Sequence, residues 1–193
     1  MKRSQVTSKR GDKGETTTLG GDHVLKAHLV IECVGCVDEV RASLALLRQR
    51  VQAERPADKD SEQFLLWLLH CCFALGSQCS DPRNEHPEYR KVDIDDAQIA
   101  RLEAFQESLE AQVRLPHSFI VSASNELAAQ TDVITTLVRR LERAVVRLHE
   151  SEPQFDCSHI FVFINRLSDT LYMLARYFDG GDFHTVDYSV LEA

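Results

Sequence analysis

The chain has 193 residues, 44% of them apolar, and a formal charge of −8. That is enough apolar material for one domain with a core, which excludes a disordered or fibrous chain. An acidic balance without a basic tract argues against nucleic-acid binding, because phosphate neutralisation needs clustered Lys and Arg.

Residues 1–21 are polar, rich in Gly and Thr and non-periodic, so they read as a loop. Lys2, Arg3, Lys9 and Arg10 are not followed by an apolar stretch of secretory type. From about Ile31 to Val51 the positions Val34, Val37, Val40, Leu44, Leu47 and Val51 recur at three- and four-residue steps, one face of a helix. Residues 53–61 form a polar connector. A second helix, about Glu62 to Cys79, is apolar nearly all round and is expected to be central and buried. Its apolar run, Phe64 to Leu75, is too short to span a bilayer and is interrupted by His70.

Ser80 to Asp93, with Pro82 and Pro87, reads as a loop. Asp95 is the expected N-cap of a third helix that buries Ile99, Leu102, Phe105 and Leu109. Leu115-Pro116 ends that region, and only Ser118–Val121 hints at a strand. A fourth helix is expected from about Asn125 to Glu150, with Leu127, Ile134, Leu137, Leu141, Val145 and Leu148 inward. A fifth runs from about Ser158 to Asp179, stopped by Gly180-Gly181. Five long helices with short polar connectors predict an all-α, up-down five-helix bundle in a single domain, 1–193, with residues 180–193 as a tail. Six cysteines are present, with Cys33 and Cys36 spaced C-x-x-C. No second half-site follows at zinc-ligand spacing, so they read as buried helical thiols.

Three clusters could carry chemistry. Ser8, Lys9, Gly11, Asp12, Gly14 and Thr16, followed by Gly20-Gly21, lack the Walker A spacing. Glycines still let backbone N–H groups point inward, and Lys and Thr add charge and hydroxyl donors, so the segment is either a polyphosphate cradle or a flexible polar start. Arg139, Glu142 and Arg143 share one helix face, as a ligand-binding stripe or an exposed salt-bridged one. Asn165 and Asp169 lie one turn apart among apolar residues, to bond another helix or to support a ligand or Mg2+ shell.

Taken in order, these clusters resemble the PduO-type ATP:cob(I)alamin adenosyltransferases. The family opening T-K-x-G-D-x-G-x-T is met by Ser8-Lys9-Arg10-Gly11-Asp12-Lys13-Gly14-Glu15-Thr16. Gly20-Gly21-Asp22-His23, then Lys26-Ala27-His28-Leu29-Val30, then Gly35-Cys36-Val37-Asp38-Glu39-Val40 follow its G-G-E-R, K-D-D-P-R and G-x-V-D-E-L without a gap. Leu75-Gly76 fits its L-G. Phe119-Ile120-Val121 fits its F-I-L, and Arg139-Arg140-Leu141-Glu142-Arg143 fits R-R-A-E-R. Asn165-Arg166-Leu167-Ser168-Asp169 matches N-R-L-S-D outright. The resemblance covers about residues 6–178.

The resemblance implies a homotrimer of five-helix subunits with active sites between subunits. It implies transfer of the 5′-deoxyadenosyl group of ATP to the cobalt of cob(I)alamin, with release of triphosphate. It places Ser8, Lys9, Gly11, Asp12, Gly14, Thr16 and Lys26 around the phosphates. Arg139, Glu142 and Asn165 fall at the nucleotide, the last two also at Mg2+. Phe119, Asp38 and Asp169 face the corrinoid, with Phe119 against the lower corrin face. A corrinoid reductase or an acceptor enzyme is the expected protein partner, and the cytoplasm the expected compartment.

The chain departs from the family pattern at several points. His23, Ala27, His28 and Val30 replace Arg, Asp, Asp and Arg; Ser122-Ala123-Ser124-Asn125 replaces P-G-G-S; Thr135 replaces an Arg that pairs with the Asp of V-D-E-L. The resemblance places that pair across the subunit interface, so Asp38 lacks the partner expected there, and Thr135, one turn before Arg139, is expected to face the same cleft. These losses leave a second reading, a non-catalytic relative that binds a corrinoid, a nucleotide or a partner protein.

Overall fold

The computed structural model describes residues 9, 11–121 and 123–191. A short antiparallel hairpin, β1 (Glu15–Thr17) with β2 (His23–Leu25), precedes α1 (Leu29–Glu54), α2 (Lys59–Ser80), α3 (Asp96–Glu110), α4 (Glu126–Ser151) and α5 (Ser158–Asp179). β1 falls within residues 1–21, which the sequence reads as a loop, and β2 lies just beyond them. The hairpin's strands are three residues long and show no apolar alternation. The turn closes it: Thr18 N–H donates to Asp22 O at 2.9 Å, and Asp22 N–H donates to Thr18 Oγ1 at 3.0 Å. The register sets Thr16 opposite Val24.

Side chains from the flanking loops satisfy the free N–H groups at the helix starts. His28 Nδ1 accepts from Val30 N–H, Asp58 from Ser61 N–H, and Asn125 from Ala128 N–H. Asp95 forms a capping box with Gln98, as its sequence position predicts. α5 begins and ends where the periodicity puts it. Gly180 closes it at φ 67, a left-handed cap that only glycine adopts without strain.

α4 packs between α1 and α5, α2 lies on the far side of α1, and α3 lies on α5. Phe64 of α2 stacks on Phe105 of α3 with ring centroids 3.7 Å apart, and Trp67 meets Phe163 of α5 edge-on, which closes the bundle. Leu44, Leu47, Leu65, Leu68, Leu102, Ile134, Leu141, Phe163, Ile164 and Leu171 fill its centre. Each such side chain contributes about 1.5–3 kcal/mol of transfer free energy.

α2 is not the central helix that its composition suggests. It leaves Leu66, His70 and Phe73 at the surface, Phe73 at 66% exposure. Its outer apolar face instead floors a groove of ≈ 480 Å³ with Tyr89 and Val92, and the Arg41 guanidinium covers the Phe73 ring at 5.0 Å. All six cysteines are buried and unpaired. Burial pushes the Cys71 and Cys72 thiols up to about 12, so these are packing groups, as expected. No helix among the described residues is long and apolar enough to cross a membrane.

Candidate functional site

The glycine-rich turn sits at the start of α1. Ser8 and Arg10 lie outside the described residues. Gly14 N–H donates to Gly11 O at 3.2 Å, and Lys26 N–H donates to Gly14 O at 2.8 Å, so the hairpin folds Lys26 back onto the turn. A Cβ on Gly11 would lie 3.0 Å from Lys26 Nζ. Glycine is thus what lets the ammonium approach the backbone. Lys9 adopts φ 59, and Lys9, Asp12 and Lys13 are exposed. Thr16 is held in β1. The structure brings Lys26, a residue that only the resemblance adds to that cluster, onto Gly11 and Gly14.

A polar cavity of ≈ 260 Å³ lies between the hairpin, the α2–α3 loop and the end of α4. Arg83 grips Glu152 with two bonds of 2.9 Å, and that hydrogen bonding holds the Glu152 carboxyl below its ordinary value. Asp81 accepts from Glu85 and His86 N–H, which fixes the loop. The His86 ring reaches Gly20, where a Cβ would come within 2.5 Å of it. Sequence reasoning missed Arg83, His86 and Glu152, because two of them lie in a loop without periodicity and the third at a helix end.

On the outer face of α4, Arg139, Glu142 and Arg143 have no ion-pair or hydrogen-bond partner among the described residues. The salt-bridged stripe does not form; the ion pair from this region is Arg140 with Glu39 of α1. Across the α4–α5 seam, Phe161 meets His149 edge-on. Glu142 lies two turns before His149 and Asn165 one turn after Phe161, so register sets both along that seam in antiparallel helices. Asn165 is exposed and accepts from Arg166 at 3.3 Å; Asp169, half-buried, lies 3.9 Å from the same guanidinium. Arg166 itself reaches Glu103 of α3.

One expectation about α1 and α4 is corrected. Asp38 has an ion pair within its own helix, with Arg41 one turn on at 2.7 Å. Thr135 does not share the surface with Arg139. It is 4% exposed and donates to Thr131 O at 3.0 Å, because its place on the helix turns it into the bundle. Val30, in another family Arg position, is also buried.

Phe119 is 79% exposed at the opposite end of the bundle. The strand hint at Ser118–Val121 amounts to one bridge, Ile120 with Thr185, framed by Val186 N–H to Phe119 O and Val121 N–H to His184 O, each 2.8 Å. Below it lies a charge network that the sequence did not suggest. Arg176, 2% exposed, donates to Asp132 at 2.6 Å and lies 3.2 Å from Asp179. Burial raises the Asp132 carboxyl against the pull of Arg176.

The 18–22 turn of the hairpin shares a cavity with Glu152 beside the α4 C-terminus, Phe119 precedes the α4 N-terminus, and α4 has 26 residues. At about 1.5 Å per residue α4 is roughly 39 Å long. The seam with Arg139 and Asn165 lies between its ends.

The family model for cobalamin adenosyltransferase matches residues 6–178. Corrinoid adenosyltransferase PduO of Citrobacter freundii is 34% identical over 173 residues, 89% of this chain and 49% of that protein. The cobalamin adenosyltransferase of Cupriavidus metallidurans is 31% identical over 90% of this chain and 87% of its own length. The chain spans about half the length of the PduO proteins of Citrobacter freundii and Salmonella typhimurium. Variants of a PduO-type ATP:corrinoid adenosyltransferase from Lactobacillus reuteri share the fold. One, complexed with cobalamin and ATP, has a TM-score of 0.81 at 24% identity, covering 91% of both chains. Another, complexed with ATP, has 0.79 at 25%, covering 90% of this chain and 94% of that one.

Proposed function

The chain belongs to the cobalamin adenosyltransferase family, and from that premise we propose that it transfers the 5′-deoxyadenosyl group of ATP to the cobalt of cob(I)alamin, releasing triphosphate. The observation that carries this reading is the Lys26 ammonium folded onto the Gly11–Gly14 turn, inside a family match that also spans α4 and α5.

Cob(I)alamin is itself the nucleophile, so the protein supplies position and charge. Lys9, Gly11, Asp12, Gly14, Thr16 and Lys26 hold the phosphates. Ser8 is assigned there by the resemblance alone. Arg139 offers an unpaired guanidinium to the leaving triphosphate. Among the described residues no three metal-ligating side chains cluster. That suits Mg2+, which keeps few protein ligands when it travels with a polyphosphate. Glu142, with no partner of its own, and Asn165 would hold it, and when bound it neutralises charge on the phosphates. Phe119 presents its ring to the lower corrin face, with Asp38 and Asp169 toward the corrinoid.

In one chain the hairpin lies toward the C-terminal end of α4 and Phe119 toward its N-terminal end. The reading includes a homotrimer whose sites combine adjacent subunits. A corrinoid reductase or an acceptor enzyme is the partner class, since the nucleophile must be made by reduction and the product used elsewhere. Six unpaired cysteines support a cytoplasmic setting.

The test is purified protein with ATP, Mg2+ and chemically reduced cobalamin, followed by absorbance; the expected result is conversion to adenosylcobalamin. A non-catalytic binder remains a second reading on one observation: Val30 and Thr135 are buried, so nothing there replaces the family guanidiniums. Calorimetric binding of ATP or cobalamin without conversion would favour it.

A further inference from the structure

Phe119 is exposed, yet the backbone around it is fixed from two sides. Gly180 and Gly181, at φ 67 and 86, reverse the chain after α5 and bring residues 184–186 alongside Phe119–Val121. On the other side, Asp179 Oδ1 accepts from both Ser124 N–H, at 2.7 Å, and Ser124 Oγ, at 2.8 Å. Asn125 Nδ2 donates to Phe178 O at 2.8 Å. The Asp179 side chain is fully buried and lies against Arg176, which Asp132 holds from α4.

Two bonds to one carboxylate oxygen restrain this turn, and one of them depends on the side chain of Ser124. Ser124 stands where the family pattern has glycine, so the hydroxyl bond belongs to this chain. Asn125 stands where it has serine and still caps α4, so the helix start is secured without Ser124. The Ser124–Asp179 pair therefore adds nothing that the cap requires. What it does is tie Ser124, five residues after Phe119, to a buried carboxylate that lies against Arg176.

We infer that Asp179, acting through Ser124, is a positioning residue that holds Phe119 at a fixed height against the corrin. The inference rests on the reading of Phe119 as the corrin-facing ring. Asp179 touches no substrate. Its contribution is to keep the ring close enough to exclude a lower axial ligand from cobalt, a task in which small displacements count.

The experiment uses the full chain loaded with ATP and cob(II)alamin, and reads the four-coordinate Co(II) signal by electron paramagnetic resonance, beside kcat and KM for ATP. Asp179→Ala is expected to deplete the signal and lower kcat by about tenfold or more, since a misplacement of ~1 Å can cost about 100-fold. KM for ATP stays the same. Ser124→Gly, at an exposed position that keeps its N–H bond, loses less, and Ser124→Thr and Asp179→Asn, which keep the hydroxyl donor and the acceptor, recover most of the signal. If Asp179→Ala is too unstable, Ser124→Gly carries the test. A depleted signal in Phe119→Ala with full signal in Asp179→Ala and Ser124→Gly would overturn the positioning role alone. Full signal in Phe119→Ala would overturn the reading of Phe119 together with it.

Discussion

The helices α4 and α5 carry two groups of charges that are treated in opposite ways. Near Gly180, Arg176, Asp132 and Asp179 are packed together, each within reach of an opposite charge. About two turns along α4, Arg139, Glu142 and Arg143 stand at or near the surface with no partner among the described residues. Burying a charge costs several kcal/mol unless it is paired, and the fold itself supplies each charge of the first group with an opposite one, although Arg176 Nε and Asp179 Oδ2 make no hydrogen bond among the described residues. Charges that the fold leaves without a partner are available to something else, and in the function proposed above that something is a polyphosphate. Position in sequence does not distinguish the groups; pairing does.

Breaking the paired group has the largest effect. Arg176→Met leaves two carboxylates beside an apolar side chain, and is expected to lower stability by about 3–5 kcal/mol. Denaturant unfolding would measure it. A loss below about 1 kcal/mol would mean that the carboxylates protonate or find water, and that the network contributes less than its burial implies.

Arg139→Ala sharpens the other half. Adenosylation is expected to fall by about 100-fold, near 3 kcal/mol of leaving-group stabilisation. Stability stays within about 0.5 kcal/mol, because nothing in the fold depends on the guanidinium. Arg147→Ala, nearer the end of the same helix, is expected to change turnover by about 1 kcal/mol or less. Equal rates in the two variants would remove the distinction between unpartnered charge and ordinary surface charge.

How far each group was legible follows from the same physics. The five helices, the Asp95 cap and the Gly180 stop were written in apolar periodicity and in residues whose local chemistry admits few alternatives. The hairpin was not, since three-residue strands are decided by turn hydrogen bonds that a pattern does not record. α2 misled because apolar content measures what a helix can bury, not what its neighbours cover. Arg139 and Asn165 stand out by helical spacing, but spacing left a bland alternative open and only the family motifs supply the role proposed for them. Arg176 was invisible as a site because a lone Arg in an apolar helix reads the same whether its carboxylates come from the next turn or from another helix.

Thr135→Arg probes the boundary between the groups. A surface position would accept the substitution and could recreate the family pair with Asp38. The observed position is buried, and Arg41 already holds Asp38. The expected outcome is overpacking, with a loss of about 1–3 kcal/mol and no gain in adenosylation. A faster enzyme whose gain disappears when Asp38→Asn is added would show that the position opens in the assembled protein.

The smallest effect belongs to a pair intermediate between the two groups, Arg83 with Glu152, where the carboxylate is sheltered and the guanidinium is not. Hydrogen bonds from Arg83 and Gln154 hold the folded Glu152 carboxyl below its ordinary value, with His28 nearby adding to the pull. The unfolded chain therefore binds this proton more readily than the folded one. The resulting stabilisation is present above the ordinary glutamate value and is lost as pH falls through the depressed one. Arg83 stays charged throughout, so Glu152 alone sets the window. Denaturation of the wild type and Arg83→Gln should differ at pH 7, the wild type being more stable, and converge in acid. High salt should narrow the gap at pH 7, because the guanidinium faces solvent. A gap that persists in acid would mean that Arg83 supports the α2–α3 loop through packing rather than charge, and would move this pair out of the electrostatic comparison altogether.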